Sequence, residues 1–118
     1  MRVPTINTGT AASAIGTAGT TNIDLLGVDR ASIQLHTVFS NAGDTDVVTL
    51  KISNDGTNFL AFSTNKTVTF TGGTTDNALF ELGAIDYRYL QISWAATSAH
   101  TFTLTYTLYA TATTVQGV

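Results

Sequence analysis

Side chains able to exchange protons, attack a carbonyl or hold a metal are few in this sequence: two histidines, eight carboxylates and no cysteine. Nucleophilic catalysis needs a hydroxyl or thiol beside a base that a third group orients. His36 falls on the polar side of an alternating stretch and His100 in a loop. Neither stands with a serine and a carboxylate at a spacing that implies a triad, so both read as solvated histidines. Without thiols or an H-x-x-x-H pair, no zinc site is built. Two oxygen-rich stretches have the donors for calcium: Asp44-Thr45-Asp46 after Asn41 and Gly43, and Asn54-Asp55-Gly56 with Asn58. Neither has EF-hand spacing, and turns account for both, because Asn and Asp side chains hydrogen-bond their own backbone. The glycines are dispersed, without the G-x-G-x-x-G or Walker patterns that cradle phosphate. No catalytic, cofactor-binding or metal-ligating residue is assigned, and the chain is read as not an enzyme.

Binding surface is the remaining chemistry. Tyr87 and Tyr89 alternate against Leu90, Ile92 and Trp94, so the pair lies on the opposite face of its strand. Such a pair can stack on a sugar ring. Tyrosine is also a favoured interface residue, giving a large rigid contact with a hydroxyl at the rim. In a neutral, threonine-rich surface the interface is the better reading, and the expected contact residues are Tyr87, Tyr89, Ile15 and Tyr109. Arg88, beside both tyrosines, reads as an ion pair with Asp86.

Composition bounds what such a surface meets. Five Lys and Arg against eight Asp and Glu give a net charge of −3, with no basic cluster. Nucleic acid is therefore not an expected partner, since binding it means neutralising several phosphates from one face. Only 11% of residues are charged. A surface left to Thr, Ser, Asn and Gly suggests cover by neighbouring subunits, most simply in a symmetric homo-oligomer. Met1-Arg2-Val3-Pro4 lacks the apolar core of a secretory signal. No run reaches the ~20 apolar residues of a membrane helix, so no membrane partner is expected.

The elements that must position these residues are strands. Threonine makes up about a fifth of the chain, joined by valine, isoleucine and aromatics that suit a pleated, half-buried surface. Ile23 and Leu25 open a period-two alternation; Ile33, Leu35 and Phe39 continue it, then Val48, Leu50 and Ile52. Asp55-Gly56 is a hairpin signal. Shorter candidates run over Phe59 to Phe62, Val68 to Phe70 and Leu79 to Leu82. The clearest pair places Leu90, Ile92 and Trp94, then Phe102, Leu104, Tyr106 and Leu108, on inward faces, with Ala95 to His100 as the connecting loop. About eight such strands separated by Gly, Asn and Asp turns predict an all-β fold, a single antiparallel β-sandwich of jelly-roll type. Its expected core is Ile33, Leu35, Leu50, Ile52, Leu90, Ile92, Trp94, Phe102, Leu104 and Leu108. The expected division is an N-terminal arm over 1–21, the sandwich over 22–110 and a tail over 111–118. Thr8 to Thr21 is uncharged and rich in small residues. It reads equally as a flexible arm and as a segment that orders along a neighbouring copy; on the second reading deleting it weakens assembly and leaves the sandwich folded.

Three stretches carry a resemblance: Ile52-Ser53-Asn54-Asp55-Gly56-Thr57-Asn58-Phe59, Asp86-Tyr87-Arg88-Tyr89-Leu90-Gln91-Ile92-Ser93-Trp94, and Thr103-Leu104-Thr105-Tyr106-Thr107-Leu108-Tyr109-Ala110. Together they resemble small β-sandwich virion proteins of tailed phages, of the decoration, minor head or head-fibre type. The first two stretches also resemble discoidin-like sandwiches that bind carbohydrate. The likeness runs roughly from Asp46 to Ala110. It implies a structural subunit of a virion, assembled in the host cytoplasm, whose partners are copies of itself and other virion proteins. The alternative it implies is a carbohydrate-binding module, with a surface glycan as ligand. Neither resemblance brings a cofactor.

Overall fold

The computed structural model describes residues 2–15, 18–96 and 101–113. Those residues form nine strands and no helix: β1 Arg2–Ile15, β2 Gly19–Asp24, β3 Val28–Phe39, β4 Thr45–Ser53, β5 Leu60–Ala61, β6 Thr67–Thr71, β7 Asn77–Ala84, β8 Tyr89–Ala96 and β9 Thr101–Thr113. Every pairing is antiparallel, and the pairs nest. β1 lies on β9, β2 on β8, β3 on β7, and β4 on β6. The chain is thus one long hairpin, rolled so that β3 also seals against β9 and β4 against β8. Rolling divides the strands into a four-stranded sheet ordered β1-β9-β3-β7 and a second sheet ordered β2-β8-β4, with β5 and β6 sharing the far side of β4. This alternation of successive strands between two sheets is the jelly roll the sequence predicts.

Alternation in sequence becomes alternation in burial. Along β3, Ala31, Ile33, Leu35 and Thr37 are buried while Arg30, Gln34 and Val38 are exposed; along β4, Asp46, Val48 and Leu50 turn inward. Nine of the ten expected core residues are buried. Ile52 is the exception, half-buried at the end of β4, where β8 covers one side and only the two-residue β5 the other. The core also takes in Ile23, Leu25, Val48, Phe70 and Leu82. Phe70 is fully closed off.

The segments expected to flank the sandwich lie within it. Arg2–Ile15 pairs along β9 of the same chain, Gly19–Asp24 along β8, and β9 continues through Thr113. The physical reason is visible at two glycines. Gly9 stands in register with Tyr106, and Gly19 with Trp94. A Cβ would fall 2.7 Å from the Tyr106 hydroxyl at the first position and 2.6 Å from Trp94 Cζ2 at the second. The rings on the inner strands therefore lie over bare backbone on the edge strands, an arrangement that offsets the weak strand propensity of glycine. Small residues do permit close approach here, but to the chain's own aromatics.

Candidate interaction surface

One end of the sandwich is organised by the Ser53–Asn58 turn. Gly56 supplies the positive φ, 75°, that the turn needs. Ser53 Oγ accepts from the Asp55 and Gly56 amides and donates to Asp55 Oδ1 at 2.8 Å. Asp55 Oδ1 accepts from the amides of Thr57 and Asn58, both at 2.8 Å, and Asn58 Nδ2 donates to Asp55 Oδ2 at 2.9 Å. These donors, the Asn58 amide foremost, hold the Asp55 carboxyl well below the usual range. Its oxygens fasten the turn. Among the described residues, no group of three or more His, Asp or Glu is gathered for a metal.

The same turn anchors the strand behind it, because Asn54 Oδ1 accepts from the Arg88 amide at 3.0 Å. Arg88 pairs with Asp24 rather than Asp86: its Nη2 and Nε lie 3.1 and 3.3 Å from the two carboxylate oxygens. The cause is register. Asp24 stands directly opposite Tyr89 across the β2–β8 ladder, so the guanidinium reaches over the Tyr89 ring, 5.1 Å from its centroid. Hydrogen bonding to Arg88 lowers the Asp24 pKa. Gly56 packs on the other part of the Tyr89 ring. Tyr87 precedes β8, is half-buried against the core and meets Phe62 edge-on at 5.7 Å. Burial pushes its phenol up to about 12, with Asp86 adding to the effect. Both rings have partners within the chain.

Other expected positions are spread apart. Asp44 is in a loop, but Asp46 is in β4 and fully buried. Desolvation pushes its carboxyl up to about 6, the Val47 amide opposing only in part. His36 Nδ1 lies 3.0 Å from Asn77 Oδ1, its register partner on β7. Ile15 ends β1, its side chain outside the described set, and His100 lies outside the described residues.

The two outer faces differ. On the β2-β8-β4 sheet, polar side chains satisfy one another: Gln91 donates to Asn22 at 3.1 Å, the Thr49 and Thr67 hydroxyls meet at 3.1 Å, and Arg88 pairs with Asp24. The face of the β1-β9-β3-β7 sheet is more open and more apolar. It carries Val38, Leu79 and Tyr109, 58%, 64% and 48% exposed, which are three of the five large apolar side chains left exposed among the described residues. Around them stand Thr103, Thr105, Thr107 and Gln34. Between Tyr109 and Glu81 runs a groove of about 390 Å³ lined also by Arg30, Ser32, Gly83 and Thr111. Two register shifts in β3, one against β9 and one against β7, meet there. Gly83, at φ 67°, leaves the floor open, with nothing within 4 Å of where a Cβ would stand. Sequence reading found Tyr109 in this group and missed Leu79 and Val38.

No protein-family model matches the chain, and no curated protein does. Solved structures match its fold. A structure of Desmodium yellow mottle tymovirus aligns with a TM-score of 0.56 at 11% identity, over 99% of this chain and 90% of that one. The SPBc2 prophage-derived protein YomS aligns with a TM-score of 0.58 at 7% identity, over 93% and 96%. A Bacillus endospore appendage, from a family of disulfide-linked pili, aligns with a TM-score of 0.53 at 18% identity, over 96% and 88%. The chain is similar to all three in fold. In fold, the viral and prophage neighbours agree with the resemblance read from the sequence. The disulfide linkage of the pili has no counterpart here, since this sequence has no cysteine.

Proposed function

We propose that this chain is a non-enzymatic structural subunit of a virus particle, a phage decoration, minor head or spike/fibre protein, working through protein–protein contacts in a homo-oligomer. The observation that carries the reading is the nested strand pairing of the jelly roll, the architecture of viral capsid domains, on a chain that fits a tymovirus structure over almost its whole length. The low charge and the open, apolar outer face of one sheet support it further. A sugar-binding reading needs an open aromatic platform, and the rings of Tyr87 and Tyr89 are packed on Phe62, Gly56 and Arg88 instead. The test is mass spectrometry of density-banded particles from a host strain carrying the gene, together with light scattering of the purified chain. Stoichiometric recovery in the particles and a defined oligomer support the proposal. A monomer absent from every particle fraction overturns it.

A further inference from the structure

The face through which copies meet can be named, an inference that rests on the subunit reading above. We propose that the outer face of the β1-β9-β3-β7 sheet stacks on the same face of a second copy about a two-fold axis. Tyr109 of each copy fills the groove above Gly83 of the other.

Three features select this face and this occupant. The first is contrast between the sheets. On the β2-β8-β4 face Gln91 and Asn22, Thr49 and Thr67, and Arg88 and Asp24 are engaged with each other, and no large apolar side chain of β2, β8 or β4 stands exposed among the described residues. The β1-β9-β3-β7 face leaves Val38, Leu79 and Tyr109 in water, where burial at roughly 25 cal/mol per Å² of apolar surface is favourable.

The second feature is charge. Arg30 and Glu81 are both exposed and line the groove from neighbouring strands. No other Lys, Arg, Asp or Glu occupies the outward positions of β3, β7 and β9 between Arg30 and Val38, Asn77 and Glu81, or Thr103 and Thr111. On these three strands the single positive and single negative group can pair reciprocally about a two-fold axis, Arg30 of each copy with Glu81 of the other.

The third feature is shape and size. Tyr109 is a rigid ring beside a depression whose floor is glycine, so each copy carries both a knob and a hole. Four strands at roughly 4.8 Å spacing and about five outward residues each offer roughly 600 Å² of flat sheet. That is the same order as the ~800 Å² per partner of a stable interface.

The experiment is sedimentation equilibrium of the full chain over a concentration series. Variants are Tyr109→Lys, Arg30→Glu, Glu81→Arg and the double swap Arg30→Glu/Glu81→Arg, with Lys51→Glu on the other sheet as control. Circular dichroism and urea unfolding of each variant show that it is folded. Tyr109→Lys is expected to weaken self-association about thirty-fold or more, the loss usual for an aromatic anchor. Either single charge reversal weakens it about ten-fold, the double swap restores it, and Lys51→Glu leaves it unchanged. If the wild type associates and the folded Tyr109 and Arg30 variants associate equally well, this face is not the contact, while self-assembly stands. If the wild type is monomeric at every concentration, the stacking and the homo-oligomer both fall.

Discussion

Replacing Asp46 by asparagine changes one atom in the core and removes a pH dependence. The inward positions of β4 are Asp46, Val48 and Leu50, all without exposure. Asp46 is in register with Phe70 on one side and Ala96 on the other. Neither carboxyl oxygen has a well-formed hydrogen bond among the described residues, and the Val47 amide offsets only part of the desolvation. A charge there is unfavourable, so the folded carboxyl is pushed from 3.8 up to about 6. The folded form holds its proton where the unfolded form has lost it, so stability falls as pH rises from about 4 to 6, then levels off. At about 1.4 kcal/mol per pH unit the whole effect is at most about 3 kcal/mol. Asp24 and Asp55, both lowered, act in the opposite sense, losing stability as pH falls below 3.8. The windows are therefore separate. Urea unfolding of the wild type and of Asp46→Asn at pH 4, 5, 6 and 7.5 isolates this group, because every other titration cancels in the difference. The variant should gain on the wild type by roughly 1–3 kcal/mol between pH 4 and pH 7.5. A difference constant to about 0.5 kcal/mol across that range would refute the reasoning and mean that Asp46 is paired or wet.

The edge-strand glycines and the arm give further tests. Gly19→Val places a branched side chain where even a Cβ stands 2.6 Å from Trp94. It should cost about 1–3 kcal/mol and shift the tryptophan emission to the red; an unchanged spectrum and midpoint would mean that β2 does not run under that ring. Trp94→Ala should be among the most damaging truncations, at ~3–5 kcal/mol, and a loss below about 1 kcal/mol would place the indole in solvent or against a partner. Deleting Met1 to Thr21 removes β1 and the first half of β2, leaving β9 and β8 as open edges. The truncated chain should lose cooperative unfolding by urea and bind apolar dyes. A soluble truncated protein with the wild-type midpoint would show that the segment is an arm after all.

Legibility in the sequence followed period. Where alternation ran unbroken, as from Phe102 to Leu108 or Leu90 to Trp94, facing and core membership could be read directly, because a strand has only two faces and one must be apolar. Where a strand draws its inward residue from backbone rather than side chain, period is silent. β1 and the first half of β2 present glycine to Tyr106 and Trp94, so their sequence resembles a linker, and only the pairing partner reveals the strand. Asp46 was hidden for the opposite reason. It sits in an Asn, Gly and Asp-rich stretch that reads as a turn, yet extending β4 back by one pleat carries it inward in phase with Val48. Ion-pair choice fell between these cases. Asp86 and Asp24 are both acidic and both within reach in principle, and the β2–β8 register decides in favour of Asp24.

The candidate contact face depends on something sequence hides more deeply. Its threonines and Tyr109 follow from the outward phase of β9, and that much was readable. The groove does not follow from phase. It exists because β3 slips register against β9 near Arg30 and against β7 near Ser32, the two slips falling side by side. A bulge adds a residue to one strand and sharpens the local twist, and the two shifts lie beside Gly83, where a Cβ would meet nothing within 4 Å. Each slip is an agreement between two strands far apart in sequence, so neither leaves a mark in β3 alone. The Gly83 conformation is the one local trace. At φ 67° with open space beyond it, that glycine is required by the bulge itself, and any residue with a side chain there would both strain the backbone and fill the hole that Tyr109 of a second copy is proposed to enter.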